Sequence, residues 1–171
     1  MSRTFHRRMA ATIAMLAFTA ASSSAQSINL TESETPFNGF GKGAYSTFGQ
    51  TFTTPAAGNF MQTFSFWLSD DAAGNGTLNA PSLLFQAYVM AWDTANNHAT
   101  GPVLYSSSIL GGPTLPSERF DFQTTNLAVN SGSQYVAFLS ASASLSDIAP
   151  ADAYAAMETT FLGSYTGGNL F

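Results

Sequence analysis

The side chains best suited to contact a ligand are two aromatic residues, Trp67 and Tyr88. Alternation in the run FSFWL predicts that Phe66 and Leu68 point into a core while Trp67 points away from it. An outward Trp among polar residues can stack on a sugar ring, and Tyr88 can share that surface if the two strands lie close together. The competing interpretation is that a loop covers Trp67, because large aromatic side chains are usually mostly buried.

A polar cluster directly after this run indicates a structural calcium site. The sequence SDDAAGNG brings Asp70, Asp71 and Asn75 into one loop. Flexible loops of carboxylate, amide and carbonyl oxygens are the ligands that Ca²⁺ prefers. A second cluster, DTANN at 93–97, has a similar composition, and neither cluster has EF-hand spacing. The alternative is that Asp, Asn and Gly simply favour turns. Calcium is the one cofactor that the sequence suggests.

Catalytic chemistry finds little support in the residue pattern. A Ser-His-acid system in the exported chain would depend on His98, which lies in the polar run TANNHATG, and no Gly-x-Ser-x-Gly motif occurs. Two facing carboxylates hydrolyse glycosides without a histidine. The acidic candidates are Asp70, Asp71, Asp93, Glu118 and Asp121. Surface charge is the simpler explanation for them, so we expect no catalytic residues and a protein that is not an enzyme.

Residues 1–25 have the features of a secretory signal peptide. Three arginines precede the uncharged run Met9–Ala21, and small residues lead up to Ala25. This arrangement predicts cleavage after Ala25 and a mature chain that begins at Gln26. The apolar run is too short to span a bilayer, and no later run is longer, so we expect no membrane span in the mature chain.

Loss of the signal peptide leaves a strongly acidic chain. Of the five basic residues only Lys42 and Arg119 remain, against ten carboxylates, which gives a net charge of −8. Nucleic acid is excluded as a partner because its binding needs clustered Lys and Arg. The absence of cysteine excludes disulfides and thiol catalysis, and the single remaining histidine, His98, excludes a zinc site built from several His and Cys ligands.

Short alternating runs separated by turn residues predict an all-β fold, an antiparallel β-sandwich. The predicted strands include 47–53, 63–68, 103–109, 119–123 and 134–140. The run LLFQAYVMAW, Leu83–Trp92, is apolar on both faces and predicts a central strand covered on both sides. The Ala-rich stretch Ala149–Met157 predicts one or two helical turns at most.

Three segments organise the chain. Residues 1–25 are the predicted signal peptide, 26–44 an irregular lead-in or a short edge strand, and 45–171 a β-sandwich domain. The chain stops at Leu170 and Phe171, a pair that is more typical of the start of a strand than of its end. This ending favours a domain truncated at its C-terminus, as a fragment of a longer product.

Six short segments occur in an order and with a spacing similar to those of a class of exported bacterial domains. They are GQTFT at 49–53, FSFWL at 64–68, AWD at 91–93, GPVLYS at 101–106, FDF at 120–122 and YVAFLS at 135–140. The class comprises β-sandwich domains common in proteins with the PEP-CTERM surface-sorting tail. The resemblance implies a jelly-roll-like sandwich in an extracellular setting and supplies no catalytic residues. The sorting tail itself does not occur in this sequence.

Together these features predict a non-enzymatic module that is secreted by a bacterium or held at its cell surface, with a matrix or adhesion role. A carbohydrate-binding module is the first alternative, and a glycoside hydrolase or other hydrolase is the second. The expected partners are extracellular polysaccharide or other surface components.

Overall fold

The computed structural model describes residues 36–56, 60–70, 79–145 and 149–158. Within them the chain forms nine β-strands and two 3₁₀ turns, Ala80–Ser82 and Ser142–Leu145. The strands are β1 (Pro36–Gly41), β2 (Thr47–Thr53), β3 (Phe60–Ser69), β4 (Leu84–Asp93), β5 (His98–Ser106), β6 (Leu110–Gly111), β7 (Glu118–Ala128), β8 (Gln134–Ser140) and β9 (Tyr154–Glu158). The predicted signal peptide and the final residues, 159–171, lie outside the described residues.

The nine strands form two sheets, and every pairing between named strands is antiparallel. Sheet A has the order β1-β9-β3-β7. Sheet B has the order β2-β8-β4-β5, and the short strand β6 also pairs with β4. Strands that are consecutive in the chain therefore often lie in different sheets, so chain order alone does not show which strands are neighbours.

Aromatic rings from both sheets meet in one core. Phe85 of sheet B contacts Phe40 and Phe120 of sheet A, with ring centroids 5.9 and 5.2 Å apart. Phe64 of sheet A meets Tyr105 of sheet B edge to face at 5.6 Å. Such edge-to-face pairs favour the ring quadrupoles as well as burying apolar area. The predicted antiparallel β-sandwich is thereby confirmed, while its jelly-roll-like character stays a prediction.

Strand β3 follows the alternation predicted from its sequence. Phe66 and Leu68 are 8% and 0% exposed and belong to the core, and Phe64 packs against it. Trp67 lies between them in sequence and faces the other side of the sheet, where it is half-buried. The strand has no bulge between Thr63 and Leu68, because its pairing with β7 is continuous there.

Strand β4 is central in sheet B, as predicted, but the expectation that both of its faces are covered was wrong. Phe85, Ala87 and Val89 are fully buried. On the other face Tyr88 is half-buried and Leu84 is 36% exposed. One face packs on sheet A and the other is the outside of the sandwich, so an apolar run on both faces did not imply burial on both.

The prediction of helical turns at Ala149–Met157 was wrong. Residues Tyr154–Glu158 form β9, which lies between β1 and β3 in the middle of sheet A. Ala155 and Met157 enter the core, and Ala156 pairs with Gly39 on one side and Ser69 on the other. Packing in the centre of a sheet therefore overrides the helix propensity of alanine.

Strand β1 falls within the segment for which the sequence left two interpretations open. Pro36–Gly41 is an edge strand that pairs with β9, and its Phe40 is fully buried in the core. Residues 26–35 lie outside the described residues. In the parts of the chain described here, no helix has the length and apolar character needed to cross a membrane.

Candidate ligand-binding face

The outward side chains of β3 and β7 form a polar surface around Trp67, called here the Trp67 face. Its members are Thr63, Ser65 and Trp67 of β3 and Arg119, Asp121 and Gln123 of β7. The two strands pair so that Trp67 lies opposite Arg119, Ser65 opposite Asp121, and Thr63 opposite Gln123. Phe120 and Phe122 alternate with these residues on β7 and pack inward, which turns the polar side chains outward.

A hydrogen-bonded group of three side chains lies beside Trp67. Arg119 donates from Nε to Asp121 Oδ1 at 2.7 Å and from Nη2 to Ser65 Oγ at 3.2 Å. The Ser65 hydroxyl in turn donates to Asp121 Oδ1. Arg119 and Asp121 remain 54% and 51% exposed, so the ion pair itself contributes little to stability. The pair brings a donor, Arg119, and an acceptor, Asp121, together on the strand next to Trp67.

Trp67 itself is available to a ligand over part of its surface. It is half-buried. Among the described residues it makes no ring-to-ring contact of the kind seen for the core aromatics. An aromatic side chain that is partly open and flanked by polar groups has the composition typical of small-molecule and sugar contacts.

A buried carboxylate borders the same face on the side of β9. Leu68 pairs with Met157 and Ser69 with Ala156, so the next residue of β9, Glu158, is the cross-strand neighbour of Trp67. Glu158 is 5% exposed and accepts a hydrogen bond from the Ser117 hydroxyl at 2.9 Å. The strand positions across sheet A therefore run Glu158, Trp67, Arg119, and the Glu158 carboxylate is turned toward Ser117, just before β7.

The structure does not bring Tyr88 onto this surface. Tyr88 belongs to β4 of sheet B, and it points away from the core, since Ala87 and Val89 on either side of it are buried. Trp67 and Tyr88 thus lie on the outer faces of different sheets, with the core between them. Tyr88 stacks on Phe138, with centroids 5.2 Å apart and planes 21° apart, and its hydroxyl donates to Gln86 Oε1 at 3.0 Å.

The surroundings of Tyr88, called here the Tyr88 face, are apolar and tightly packed. The face consists of the outward residues Gly49, Thr51, Val136, Phe138, Tyr88 and Met90. Thr51 and Val136 are 1% and 3% exposed although they point outward. A Cβ on Gly49 would lie 2.6 Å from the Cβ of Phe138, so glycine is required at this position for the strands to approach as they do.

Only part of the predicted calcium cluster can be located. Asp70 follows β3 and its backbone N–H donates to the Leu115 carbonyl oxygen at 3.3 Å. Asp71 and Asn75 lie outside the described residues. The described parts of the chain contain no group of three His, Cys, Asp or Glu side chains that could hold a metal ion. Calcium binding by Asp70, Asp71 and Asn75 stays a prediction.

In the second polar cluster the carboxylate of Asp93 organises a turn. Asp93 Oδ1 accepts from the backbone N–H groups of Ala95 and Asn96 at 2.9 and 3.1 Å, and Oδ2 accepts from the Asn96 side-chain amide at 2.8 Å. These hydrogen bonds, the Asn96 side chain first among them, hold the pKa of the Asp93 carboxyl below its ordinary value. The cluster closes the β4–β5 hairpin, as the turn interpretation predicts.

The remaining catalytic candidates each take part in local structure. His98 is exposed, and its Nδ1 lies 3.4 Å from the Asn96 carbonyl oxygen. Glu118 accepts from the backbone N–H of Thr114 at 2.9 Å. Asp121 is paired with Arg119. Asp121 was predicted to lie on the exposed side of its strand, and it does so.

Two residues of the Trp67 surroundings were missed at the level of sequence. Arg119 alternates with Phe120 and Phe122, which was a signal for an outward position, but its partner strand could not be known without the register. Glu158 directly follows the stretch predicted to form helical turns, Ala149–Met157, so no strand position was assigned to it. Both omissions come from long-range pairing, which no local pattern reports.

The arrangement can bind a ligand that offers an apolar surface to Trp67 and hydroxyl groups to Arg119, Asp121 and Ser65. Comparison of the chain with protein-family models, with curated proteins and with solved structures finds no match in any of the three.

Proposed function

We propose that this protein is a non-enzymatic, exported β-sandwich module that binds extracellular polysaccharide through the Trp67 face. One observation carries the proposal: a half-buried Trp67 stands outward on a sheet, directly opposite Arg119 and one row from the Asp121–Ser65 hydrogen bond. Such binding would serve a protein of the extracellular matrix or of cell adhesion.

The chemistry of this surface suits a sugar. One face of a pyranose ring is lined by C–H groups and can lie on an indole, while its rim carries hydroxyls that donate and accept hydrogen bonds. Arg119 supplies donors and Asp121 supplies acceptors, and both are about half exposed. The hydrogen bonds among Arg119, Asp121 and Ser65 keep these donors and acceptors together on the strands beside Trp67.

The sequence supports the extracellular setting of the proposal. The basic start of the chain and the uncharged run Met9–Ala21 are typical of a secretory signal. The absence of cysteine is compatible with export, because the sandwich has an aromatic core that needs no disulfide. The resemblance to exported bacterial sandwich domains agrees with a place outside the cell.

Retention on polysaccharide tests the proposal. Purified protein is run in native gels that contain a panel of soluble polysaccharides, and its mobility is compared with a gel that contains none. We expect retardation by at least one polysaccharide, loss of it in Trp67→Ala, and its persistence in Tyr88→Ala, the matched aromatic variant on the other sheet. Thermal melts establish that each variant is folded.

Two results contradict the proposal. One is a wild-type protein that no polysaccharide retards. The other is a folded Trp67→Ala variant that is retarded as strongly as the wild type, which moves the binding surface away from the Trp67 face. The first result leaves the module with a purely structural role at the cell surface.

A further inference from the structure

We infer that the polysaccharide taken by the Trp67 face is uncharged, and that chains bearing carboxylate or sulfate groups are selected against. This inference rests on the proposed function above and adds the class of ligand. Its basis is the arrangement of charge around Trp67 and the small number of cations in the exported chain.

The guanidinium on this face already has an anionic partner. Arg119 Nε lies 2.7 Å from Asp121 Oδ1, and Nη2 donates to Ser65 at 3.2 Å. A carboxylate at this distance cancels most of the field that Arg119 would present to an approaching anion. An anionic ligand would have to displace Asp121 to gain a bidentate contact with Arg119.

The strand on the other side of β3 carries a second acidic residue. Glu158 follows Met157, which pairs with Leu68, so its backbone continues β9 alongside Trp67, but its carboxylate is 5% exposed and accepts a hydrogen bond from Ser117. The exposed charges beside Trp67 are therefore one cation, Arg119, and one anion, Asp121, one row along β7. A negative group on a sugar stacked at Trp67 would meet the like charge of Asp121.

The chain after Ala25 has only one other basic residue that could offset its negative charges. Lys42 and Arg119 are the only basic residues of the chain after Ala25. Lys42 lies in the turn after β1, where its ammonium donates to the Ala149 carbonyl oxygen at 2.5 Å. With ten carboxylates in the same stretch, the whole exported chain repels anionic polymers as well.

The hydrogen-bonding groups of the Trp67 face also favour an uncharged sugar. A sugar hydroxyl donates and accepts, so it can satisfy Asp121 and Arg119 together, whereas a carboxylate or sulfate only accepts. Asp121 and Arg119 are 51% and 54% exposed, so both can reach such a hydroxyl. Gln123 and Ser65 also both donate and accept.

Calorimetric titration with two classes of probe tests the inference. The neutral probes are dextran, galactomannan and xyloglucan, and the anionic probes are alginate and polygalacturonate. We expect at least one neutral probe to bind with a dissociation constant that changes less than about twofold between about 0.05 and 0.5 M NaCl, because screening does not act on an uncharged ligand. At the low salt concentration we expect each anionic probe to bind at least about tenfold more weakly than that neutral probe.

One variant reports on the charge balance directly. Asp121→Asn keeps the size of the side chain and removes the charge that compensates Arg119. It should strengthen the binding of alginate at low salt at least about threefold, and added salt should abolish the gain. Gln123→Glu, on the same strand face, is the opposite change and should weaken alginate binding further.

The outcomes separate the inference from the proposed function. Binding of alginate or polygalacturonate as tight as that of every neutral probe overturns the inference and leaves the proposed function intact. So does an Asp121→Asn variant that gains nothing toward alginate. Failure of every probe in both classes overturns the proposed function and the inference together.

Discussion

The two outer faces of the sandwich carry aromatic residues in opposite circumstances. On sheet A, Trp67 stands among Ser65, Arg119 and Asp121 and has no ring partner among the described residues. On sheet B, Tyr88 stacks on Phe138 at 5.2 Å beside almost fully buried neighbours. Both rings are half-buried and both point away from the core. The two rings differ in their neighbours on adjacent strands rather than in exposure: Trp67 has polar neighbours and can contact a ligand, whereas Tyr88 packs on another ring of its own sheet.

This comparison explains why an outward aromatic residue is not by itself a binding site. Phe138 covers part of one face of the Tyr88 ring, and the Gln86 side chain holds its hydroxyl at 3.0 Å. The groups that a sugar would use on Tyr88 are therefore engaged within sheet B. On the Trp67 face the polar groups are engaged with one another beside the ring, which leaves the indole free to make the apolar contact.

The largest difference in stability should separate two adjacent residues of β3. Phe66→Ala should cost about 3–5 kcal/mol, because Phe66 belongs to the core and its loss leaves a cavity. Trp67→Ala should cost only about 1–2 kcal/mol, since a half-buried side chain loses less contact and its space stays open to water. Urea denaturation of the two variants measures both. A cost for Trp67→Ala that matches Phe66→Ala would make Trp67 a packing residue and remove the contrast between the faces.

A methyl group added at Gly49 tests how tightly the Tyr88 face is packed. The new Cβ of Gly49→Ala would lie 2.6 Å from Phe138 Cβ and 3.0 Å from the Ala137 carbonyl oxygen, so the strands must separate. We expect a loss of about 1–3 kcal/mol. Gly111→Ala is the matched control, because the nearest atom to its new Cβ is the Pro81 carbonyl oxygen at 4.0 Å. Equal melting temperatures for the two variants would show that the Tyr88 face is loosely packed.

The stacked pair of the Tyr88 face should show its own coupling energy. A double-mutant cycle on Tyr88→Ala and Phe138→Ala should give about 1 kcal/mol of favourable interaction, the usual contribution of an aromatic pair beyond its buried area. The same cycle on Trp67→Ala and Arg119→Ala serves as the comparison on the other face and should give less. Additive effects for Tyr88 and Phe138 would mean that the two rings are held by other neighbours.

Much of the fold followed from local pattern, and the failures have a common physical origin. The alternation in FSFWL placed Phe66 inward and Trp67 outward, because side chains of a strand alternate strictly between two faces. Local pattern failed at Ala149–Met157, because β9 lies between β1 and β3, and both of these strands are more than eighty positions away from it in the chain. Alanine favours a helix in isolation, and only the position of β9 between β1 and β3 makes it a strand.

The candidate site was predictable only in part for a related reason. Trp67 could be singled out because its residue type and its direction are local properties. The assignment of Tyr88 to the same surface depended on the order of strands, and the sheet order separates β3 from β4. Arg119 became part of the site only through the register Trp67↔Arg119. Residue type and side-chain direction can thus be derived from sequence, whereas the partners across a sheet are set by topology.

The smallest expected effect concerns one carboxylate from each sheet. Asp121 on sheet A is bonded to a guanidinium, whereas Asp93 at the end of β4 is bonded to amide groups of its own turn. Hydrogen bonds from Asn96 lower the pKa of Asp93, so its ionised form stabilises the folded state. This stabilisation is complete above the pKa of the unfolded chain and is lost as the pH falls through the lower pKa of the folded state.

Melting curves of wild type and Asp93→Asn between about pH 7 and pH 3 should reveal this linkage. At neutral pH the variant should melt slightly lower, because the neutral amide accepts the turn hydrogen bonds less strongly than the carboxylate does. Below about pH 4 the gap between the two curves should begin to narrow, and it should close once the pH has fallen below the lowered pKa of Asp93 in the folded state, where the wild-type carboxyl is also neutral. The difference should be small because the turn lies at the solvent-facing tip of a hairpin. A gap in melting temperature that stays constant down to pH 3 would show that residue 93 acts through its shape rather than its charge. The Asp93 carboxylate of sheet B would then differ from the ion pair of sheet A in having no charge-dependent effect on stability.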